Sequence, residues 1–257
     1  CGIYRSVWLH RAGAVSAAPH GIRAVTAALD GSSAVVEVST ALTGTADSVT
    51  YELADAEGQV LATAEGLGTV QLAANGITPW TPETPALYTL RVNVTANGTA
   101  DTAEQRIGIR TIQVSSKTGL LLNGQPRTMK GGCIHHDLGI LGAADHAAAE
   151  RRRIRLMKES GFDAIRAAHN PFGPAFLNAC DELGMLVVEE AFDEWVMGRT
   201  SFGLHVTFEQ CWEKDLEDMI TRDYNHPCIV MWSTGNEVEE RDGTADGFAW
   251  AKRLADK

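Results

Sequence analysis

The hydrophobic pattern changes period once, near residue 112, and that change restricts the chain to a small set of architectures. Before it, Tyr88, Leu90, Val92 and Val94 alternate with Thr89, Arg91, Asn93 and Thr95, the two-residue period of a strand with one buried face. Asn97-Gly98 then supplies a turn, and residues 105–110 are expected to return as the partner strand. A second hairpin is expected over residues 48–64, turning at Glu57-Gly58. Short strands at this spacing, within about 100 residues, predict an immunoglobulin-like sandwich, with a small barrel as the alternative.

After residue 112 strand and helix patterns alternate. Residues 128–134 read as a strand, 145–160 as an Arg-rich helix closed by Gly161, and 162–168 as a second strand. A helix opening near Pro174 puts Phe176, Leu177, Cys180 and Leu183 on one face and stops at Gly184. Residues 185–188 form a short buried strand. The third helix carries an apolar stripe of Phe208, Cys211, Trp212, Leu216, Met219 and Ile220. Residues 228–233 make a fourth strand, and a fourth helix begins after Gly243. Four βα units in a row imply a parallel sheet, either doubly wound or a (β/α)8 TIM barrel. No glycine-rich phosphate loop follows the first strand, which weakens the nucleotide-binding version. If the sheet is a barrel, its first half is present.

The formal charge of -11, from 22 Lys and Arg against 33 Asp and Glu, argues against nucleic acid as a partner. No stretch supplies the roughly 20 apolar residues of a membrane span. The five cysteines show no CxxC pair and no zinc-like spacing, so they read as isolated thiols.

In a barrel of this type catalytic groups gather at the C-terminal ends of the strands. Each of the four ends here carries polar residues: His135-His136-Asp137, Arg166 with His169-Asn170-Pro171, Glu189 to Glu194 with Trp195, and Asn236-Glu237. Glu237 follows the apolar run Ile229-Val230-Met231-Trp232. Its carboxylate is therefore expected beside nonpolar walls, where partial desolvation would keep it protonated as a general acid. Asn236 can donate to a substrate hydroxyl. His136 is expected to contact substrate hydroxyls too, and His169 to touch a sugar. A metal site built from His135, His136 and Asp137 is disfavoured, because adjacent strand residues point to opposite faces. Arg166, if buried, must pair with a carboxylate. Among Glu189, Glu190, Asp193 and Glu194, at least two are expected to be loop or structural carboxylates.

Several phrases together resemble glycoside hydrolase family 2. They are Trp232-Ser233-Thr234-Gly235-Asn236-Glu237, Arg166-Ala167-Ala168-His169-Asn170-Pro171, Gly132-Cys133-Ile134-His135-His136-Asp137 and Val188-Glu189-Glu190-Ala191-Phe192-Asp193-Glu194-Trp195. The stretch from Trp80 to Tyr88 is similar to the phrase after which the family joins its middle sandwich to the barrel. That from Gly2 to Leu9 is similar to the last strand of its N-terminal sandwich. The resemblance covers essentially the whole chain and implies an internal piece of a β-galactosidase-like enzyme, with both ends inside a longer protein. Residues 1–11 would be the last strand of an N-terminal jelly-roll sandwich, 12–111 an immunoglobulin-like β-sandwich, and 112–257 the first four βα units of the TIM barrel.

The implied activity is hydrolysis of terminal non-reducing β-D-galactosyl residues by a retaining, two-carboxylate mechanism. By resemblance, Glu237 matches the general acid/base, Asn236 the contact to the sugar 2-hydroxyl, and His136 and His169 galactose-contacting histidines. Arg166 matches the arginine that pairs with the nucleophile, a Glu on strand seven beyond Lys257. β-Glucuronidase or β-mannosidase specificity is the alternative within the family, and a noncatalytic carbohydrate-binding fragment the alternative outside it. The implied partner is a carbohydrate, with no nucleic acid and no membrane, and a homo-oligomer is compatible. No cofactor is required by this stretch, although some family members hold Mg2+ through the acid/base Glu and residues downstream. The chain alone is expected to be inactive. One departure stands out: family β-galactosidases often carry Asn and Arg just before the matched histidine, whereas Ile134 and His135 precede His136.

Overall fold

The computed structural model describes residues 3–257. Cys1 and Gly2, which the sequence assigns to a first strand, lie outside the described residues. Over residues 3–11, where that strand is expected, the chain is irregular. The stretch is tied to barrel loops instead: the Tyr4 carbonyl accepts from Asp145 N at 2.8 Å, and the Arg5 guanidinium donates to the Pro171 carbonyl.

Seven strands build the sandwich: β1 (Ala17–Asp30), β2 (Ser33–Leu42), β3 (Ser48–Ala54), β4 (Val60–Glu65), β5 (Val70–Asn75), β6 (Tyr88–Ala96) and β7 (Thr99–Ile107). They form two antiparallel sheets, in the orders β1-β2-β5 and β4-β3-β6-β7. The period-2 reading of β6 holds, since Tyr88, Leu90, Val92, Val94 and Ala96 are all buried. The first four meet Val49, Tyr51 and Leu53 of β3 and Val36, Val38 and Leu72 of the facing sheet in one core. Each fully buried aliphatic side chain of this kind contributes roughly 1.5–3 kcal/mol. The partner of β6 is the whole of β7, which starts directly after the turn rather than at residue 105. Asn97 (φ 51°) and Gly98 (φ 74°) both take the left-handed conformation that a two-residue hairpin turn demands.

Strands β8 (Ile112–Ser115), β9 (Gly119–Leu122) and β10 (Gln125–Pro126) make a small antiparallel sheet of their own. The four βα units come next: β11 (Gly131–Ile134), α1 (Ala147–Glu159), β12 (Ala164–Ala167), α2 (Pro174–Leu183), β13 (Leu186–Glu190), α3 (Phe208–Asp223), β14 (Ile229–Ser233) and α4 (Ala245–Ala255). The first strand is shorter than expected, because residues 128–130 stay outside it. Helix α2 begins with Pro174 at its first position and ends at Gly184 in the left-handed conformation, as its sequence signals require.

The parallel sheet runs β11-β12-β13-β14 in chain order. A doubly wound sheet must reverse its order at a switch point, whereas right-handed crossovers that always step the same way are the winding of a barrel. The chain is thus a β-sandwich followed by a partial TIM-barrel-like α/β region.

The two parts are locked at the base of the barrel. Trp80 is fully buried among barrel residues rather than in the sandwich core, and its Nε1 donates to the Asp181 carbonyl at 2.9 Å. Arg110 donates to the Pro227 carbonyl at 3.1 Å and the Ile229 carbonyl at 2.8 Å. The Asn225 side chain bridges Ala24 N and the Ile22 carbonyl of β1.

Candidate active site

Strand register decides which side chains meet. Cys133 pairs with Arg166, Arg166 with Val188, Val188 with Met231, and Glu190 with Ser233. Paired residues in a parallel sheet share a face, and residues two apart share it as well. Arg166, Glu190 and Ser233 therefore lie on the interior face of the barrel wall, and Glu189 on the helix-covered face.

Glu190 is fully buried, and donors surround its carboxylate. Oε2 accepts from Arg166 Nη2 (2.7 Å), Arg166 Nε (3.1 Å) and Ser233 Oγ (2.7 Å). Oε1 meets Arg166 Nη2 (3.0 Å) and His169 Nδ1 (2.7 Å). A buried lone carboxylate would cost several kcal/mol, and these contacts offset that cost. Within these residues the carboxylate that pairs with Arg166 is Glu190. Nη1 of Arg166 reaches Cys133 Sγ at 3.8 Å.

Past the end of β11 the two histidines part. His135 continues the face of Cys133, and its ring lies 4.9 Å from that of His169. His136 turns the other way and stacks on the buried Phe172 ring at 4.0 Å. Its Nε2 bonds the Asn170 carbonyl at 3.1 Å, and burial holds its pKa below the ordinary range. His136 also lines a groove of about 1040 Å³ with Tyr4, Arg5, Asn170 and Arg222, on the opposite side of the wall from Glu190. His169, which bonds Glu190, thus has the His135 ring beside it, while His136 packs on Phe172.

Past β14, Asn236 is buried and joins the cluster: its Oδ1 accepts from Arg166 Nη2 at 2.9 Å. Its Nδ2 donates to Asp193 Oδ1 at 3.1 Å, and its backbone N to the Phe192 carbonyl at 3.1 Å. Glu237, next in the chain, has φ 45°, a left-handed conformation uncommon outside glycine and costing of order 1–3 kcal/mol. The turn before it is clamped by Trp195, whose Nε1 donates to the Thr234 carbonyl at 2.8 Å. A Cβ on Gly235 would stand 2.7 Å from that nitrogen. Glu237 itself is exposed, so the nonpolar walls expected around its carboxylate are not supplied by these residues.

The other acidic groups divide by environment. Glu189 is fully buried, and burial, reinforced by the charge of Asp223, pushes its pKa up to about 8. One oxygen accepts from Phe172 N at 2.7 Å, while the other has no partner. Glu194 goes the opposite way. Burial would raise its pKa, but Arg199 N (3.0 Å), His205 Nδ1 (3.0 Å) and His205 N (3.1 Å) outweigh that and hold it at about 2. Glu189 is thus closed off from the strand-end cluster, and Glu194 is engaged by its own loop. Glu190, Asp193, Ser233 and His135 are the site members that sequence reasoning did not assign.

Mg2+ seeks free carboxylate and water oxygens in near-octahedral array. Here the Asn236 oxygen is taken by Arg166 and both Glu194 oxygens by N–H donors. Among the described residues, the one cluster of three metal-capable side chains is Asp181, His226 and Cys228 at the start of β14. Asp181 already spends its oxygens on His226 Nδ1 (2.5 Å) and Cys228 N (3.1 Å), and burial pushes the Cys228 thiol well up. These donors are engaged with protein partners and not arrayed around a cation.

Comparison with known proteins gives the family. Residues 112–257 match the model described as "Glycosyl hydrolases family 2, TIM barrel domain", and residues 21–110 match "Glycosyl hydrolases family 2". The chain is 38% identical to "Beta-galactosidase BoGH2A" of Bacteroides ovatus, over 96% of this chain and 31% of that protein. It is 33% identical to a "Putative beta-glucuronidase" of Formosa agariphila, over 99% of this chain and 25% of that one. A solved glycosyl hydrolase family 2 member from Bacteroides cellulosilyticus superposes with a TM-score of 0.88 at 34% identity, covering 93% of this chain and 33% of that one. The chain therefore spans a third or less of the length of these relatives. On its sequence, its sheet order and these matches, it belongs to glycosyl hydrolase family 2.

Proposed function

We propose that this chain supplies the acid/base half of the active site of a retaining β-glycosidase that removes terminal non-reducing β-D-galactosyl residues. In this reading residues 12–111 are the middle sandwich and 112–257 the first half of the catalytic barrel. The observation that carries it is the Arg166–Glu190–Asn236 cluster at the strand ends, which fixes the residue next to Glu237 from both sides of its amide.

Glu237 donates a proton to the glycosidic oxygen as the C1–O bond breaks, while a carboxylate nucleophile outside these residues bonds to C1. In the second step Glu237 takes a proton from water, whose oxygen attacks C1 and releases the nucleophile. Retaining enzymes hold the two carboxyls about 5–5.5 Å apart. Glu189, Glu190 and Glu194 do not suit the nucleophile's role: the first is a buried neutral acid, and the other two are consumed by donors. Asn236 presents its amide to the sugar 2-hydroxyl, and His169 with His135 lines the same pocket. The putative β-glucuronidase relative supports a second reading of the sugar, in which the substrate carries a carboxylate.

The test uses the full-length parent. Glu237→Gln slows hydrolysis far more for alkyl than for nitrophenyl glycosides, and azide restores turnover of the latter, because azide attacks the glycosyl-enzyme without a base. Equal losses across leaving groups remove Glu237 from this role. A panel of nitrophenyl β-galactoside, β-glucuronide and β-mannoside reads the sugar directly.

A further inference from the structure

The Asn236 amide has one orientation in this site. Its oxygen faces the Arg166 guanidinium at 2.9 Å and its nitrogen faces the Asp193 carboxylate at 3.1 Å. A flipped amide would set NH2 against a cation and C=O against an anion, so both contacts would become repulsive. One of the two Nδ2 hydrogens is spent on Asp193, which leaves the other with a fixed direction beside Glu237.

Asp193 is itself held. Arg199 Nη2 lies 2.5 Å from Asp193 Oδ1 and donates to the Asp193 carbonyl at 2.6 Å. The Arg199 backbone is held in turn, because its N donates to Glu194 Oε2 at 3.0 Å. The loop between β13 and α3 is wound tightly around the Glu194 carboxylate. A Cβ on Gly203 would fall 1.8 Å from Glu194 Oε1, and one on Gly198 would fall 2.1 Å from the His205 ring. This loop thus has a built-in reason to lay Arg199 over Asp193. Asp193 is nearly half exposed (47%) and Arg199 is 29% exposed, so the pair is not needed to fill a core. The guanidinium also feels the charge of Glu237, though less than that of Asp193.

We infer that Asp193, clamped by Arg199, is a positioning residue that orients the Asn236 amide toward the sugar 2-hydroxyl and so sets the enzyme's preference for substrates bearing that hydroxyl. The inference rests on the reading of Asn236 given under the proposed function. The physical logic is that an unclamped amide loses its fixed donor. A contact formed only as charge develops at C1 is then lost from the transition state rather than from ground-state binding.

The experiment compares nitrophenyl β-galactoside with its 2-deoxy analogue in the full-length parent and its variants. Asp193→Ala is expected to lower kcat/KM on the galactoside about 30-fold, chiefly through kcat, and on the 2-deoxy sugar less than about threefold. Asp193→Asn, which keeps an acceptor for Asn236, recovers most of the loss. Arg199→Ala shifts the ratio in the same direction by about fivefold, and it reports on the clamp should Asp193→Ala fold poorly. The Asp193→Ala/Asn236→Ala double variant is no slower than Asn236→Ala alone, because the two act as one unit. Equal losses on both sugars, or losses that multiply in the double variant, overturn the inference while leaving Glu237 as acid/base. A parent that hydrolyses no glycoside removes the functional reading and the inference together.

Discussion

Glu189→Gln should stabilise the protein at alkaline pH while changing little in acid. Glu189 is fully buried on the helix side of β13, among Phe172, Asp223, Arg222 and Arg5, and its folded-state pKa of about 8 stands above the ordinary 4.5. A carboxyl whose folded pKa is raised binds more protons folded than unfolded. Stability is therefore highest below about 4.5, falls as pH rises from there to about 8, and is level above. At about 1.36 kcal/mol per pH unit the gap sets a ceiling near 5 kcal/mol, and relaxation around the charge brings the expected loss to about 2–3 kcal/mol. Glutamine keeps the acceptor for Phe172 N and places NH2 where the neutral acid carries its proton, without the option of ionising. Urea unfolding followed by the barrel tryptophans, at pH 5, 7 and 9, measures this. The wild type should weaken along that series, and the variant should stay level and lead at pH 9. A wild type equally stable at pH 5 and pH 9, or a variant weaker at both, refutes the reasoning.

Gly108→Ala should destabilise by about 1–3 kcal/mol, because the new Cβ would sit 2.6 Å from the Pro227 ring at the sandwich–barrel seam; a lowered Tm with unchanged secondary structure checks it. Glu194 has a depressed folded pKa, about 2, so its contribution is present above about 4.5 and lost as pH falls toward 2. After solvent screening that is worth about 1 kcal/mol, and Glu194→Gln should show as faster protease nicking between β13 and α3. The 257-residue chain alone should give no turnover of an aryl galactoside, since Glu189 is buried and Glu190 and Glu194 are held by donors, which leaves none of the three free to attack C1; measurable hydrolysis by the purified chain would place the nucleophile within it.

Elements with strong local chemistry were legible in advance. Helix α2 announces itself through Pro174, its apolar face and Gly184, and the β6–β7 hairpin through strict alternation around Asn97-Gly98. The β8–β10 sheet was not legible, because strands of four, four and two residues offer too few positions for a period to show. Its turns rest on Gly119, Asn123 and Gly124, all with positive φ. Glycine and asparagine in such runs mark turns without saying what the flanking residues pair with.

The site was legible as a neighbourhood and not as a geometry, and the reason is one of parity. His135 and His136 are adjacent, as are Glu189 and Glu190, and the members of each pair part: the His135 ring meets His169 and Glu190 grips Arg166, whereas His136 stacks on Phe172 and Glu189 accepts from Phe172 N. A strand boundary read from sequence is uncertain by about two to four residues, while a slip of one exchanges the two faces. Pattern alone therefore brings all four side chains to the barrel mouth and leaves open which two enter it. The register Cys133–Arg166–Val188–Met231 removes that freedom within the strands, because once Arg166 is inward, Cys133 is inward with it, and past the strand end the His135 ring meets that of His169. The same rule sends Glu190 inward, to a place where only a carboxylate gripped by Arg166, His169 and Ser233 can be buried without a large penalty. Glu189, sent outward, meets no cation at hydrogen-bonding distance and keeps its proton instead. Two neighbouring glutamates thus acquire opposite surroundings from a single bit of strand geometry, and the inward one is the anchor from which Arg166 and Asn236 are set beside Glu237.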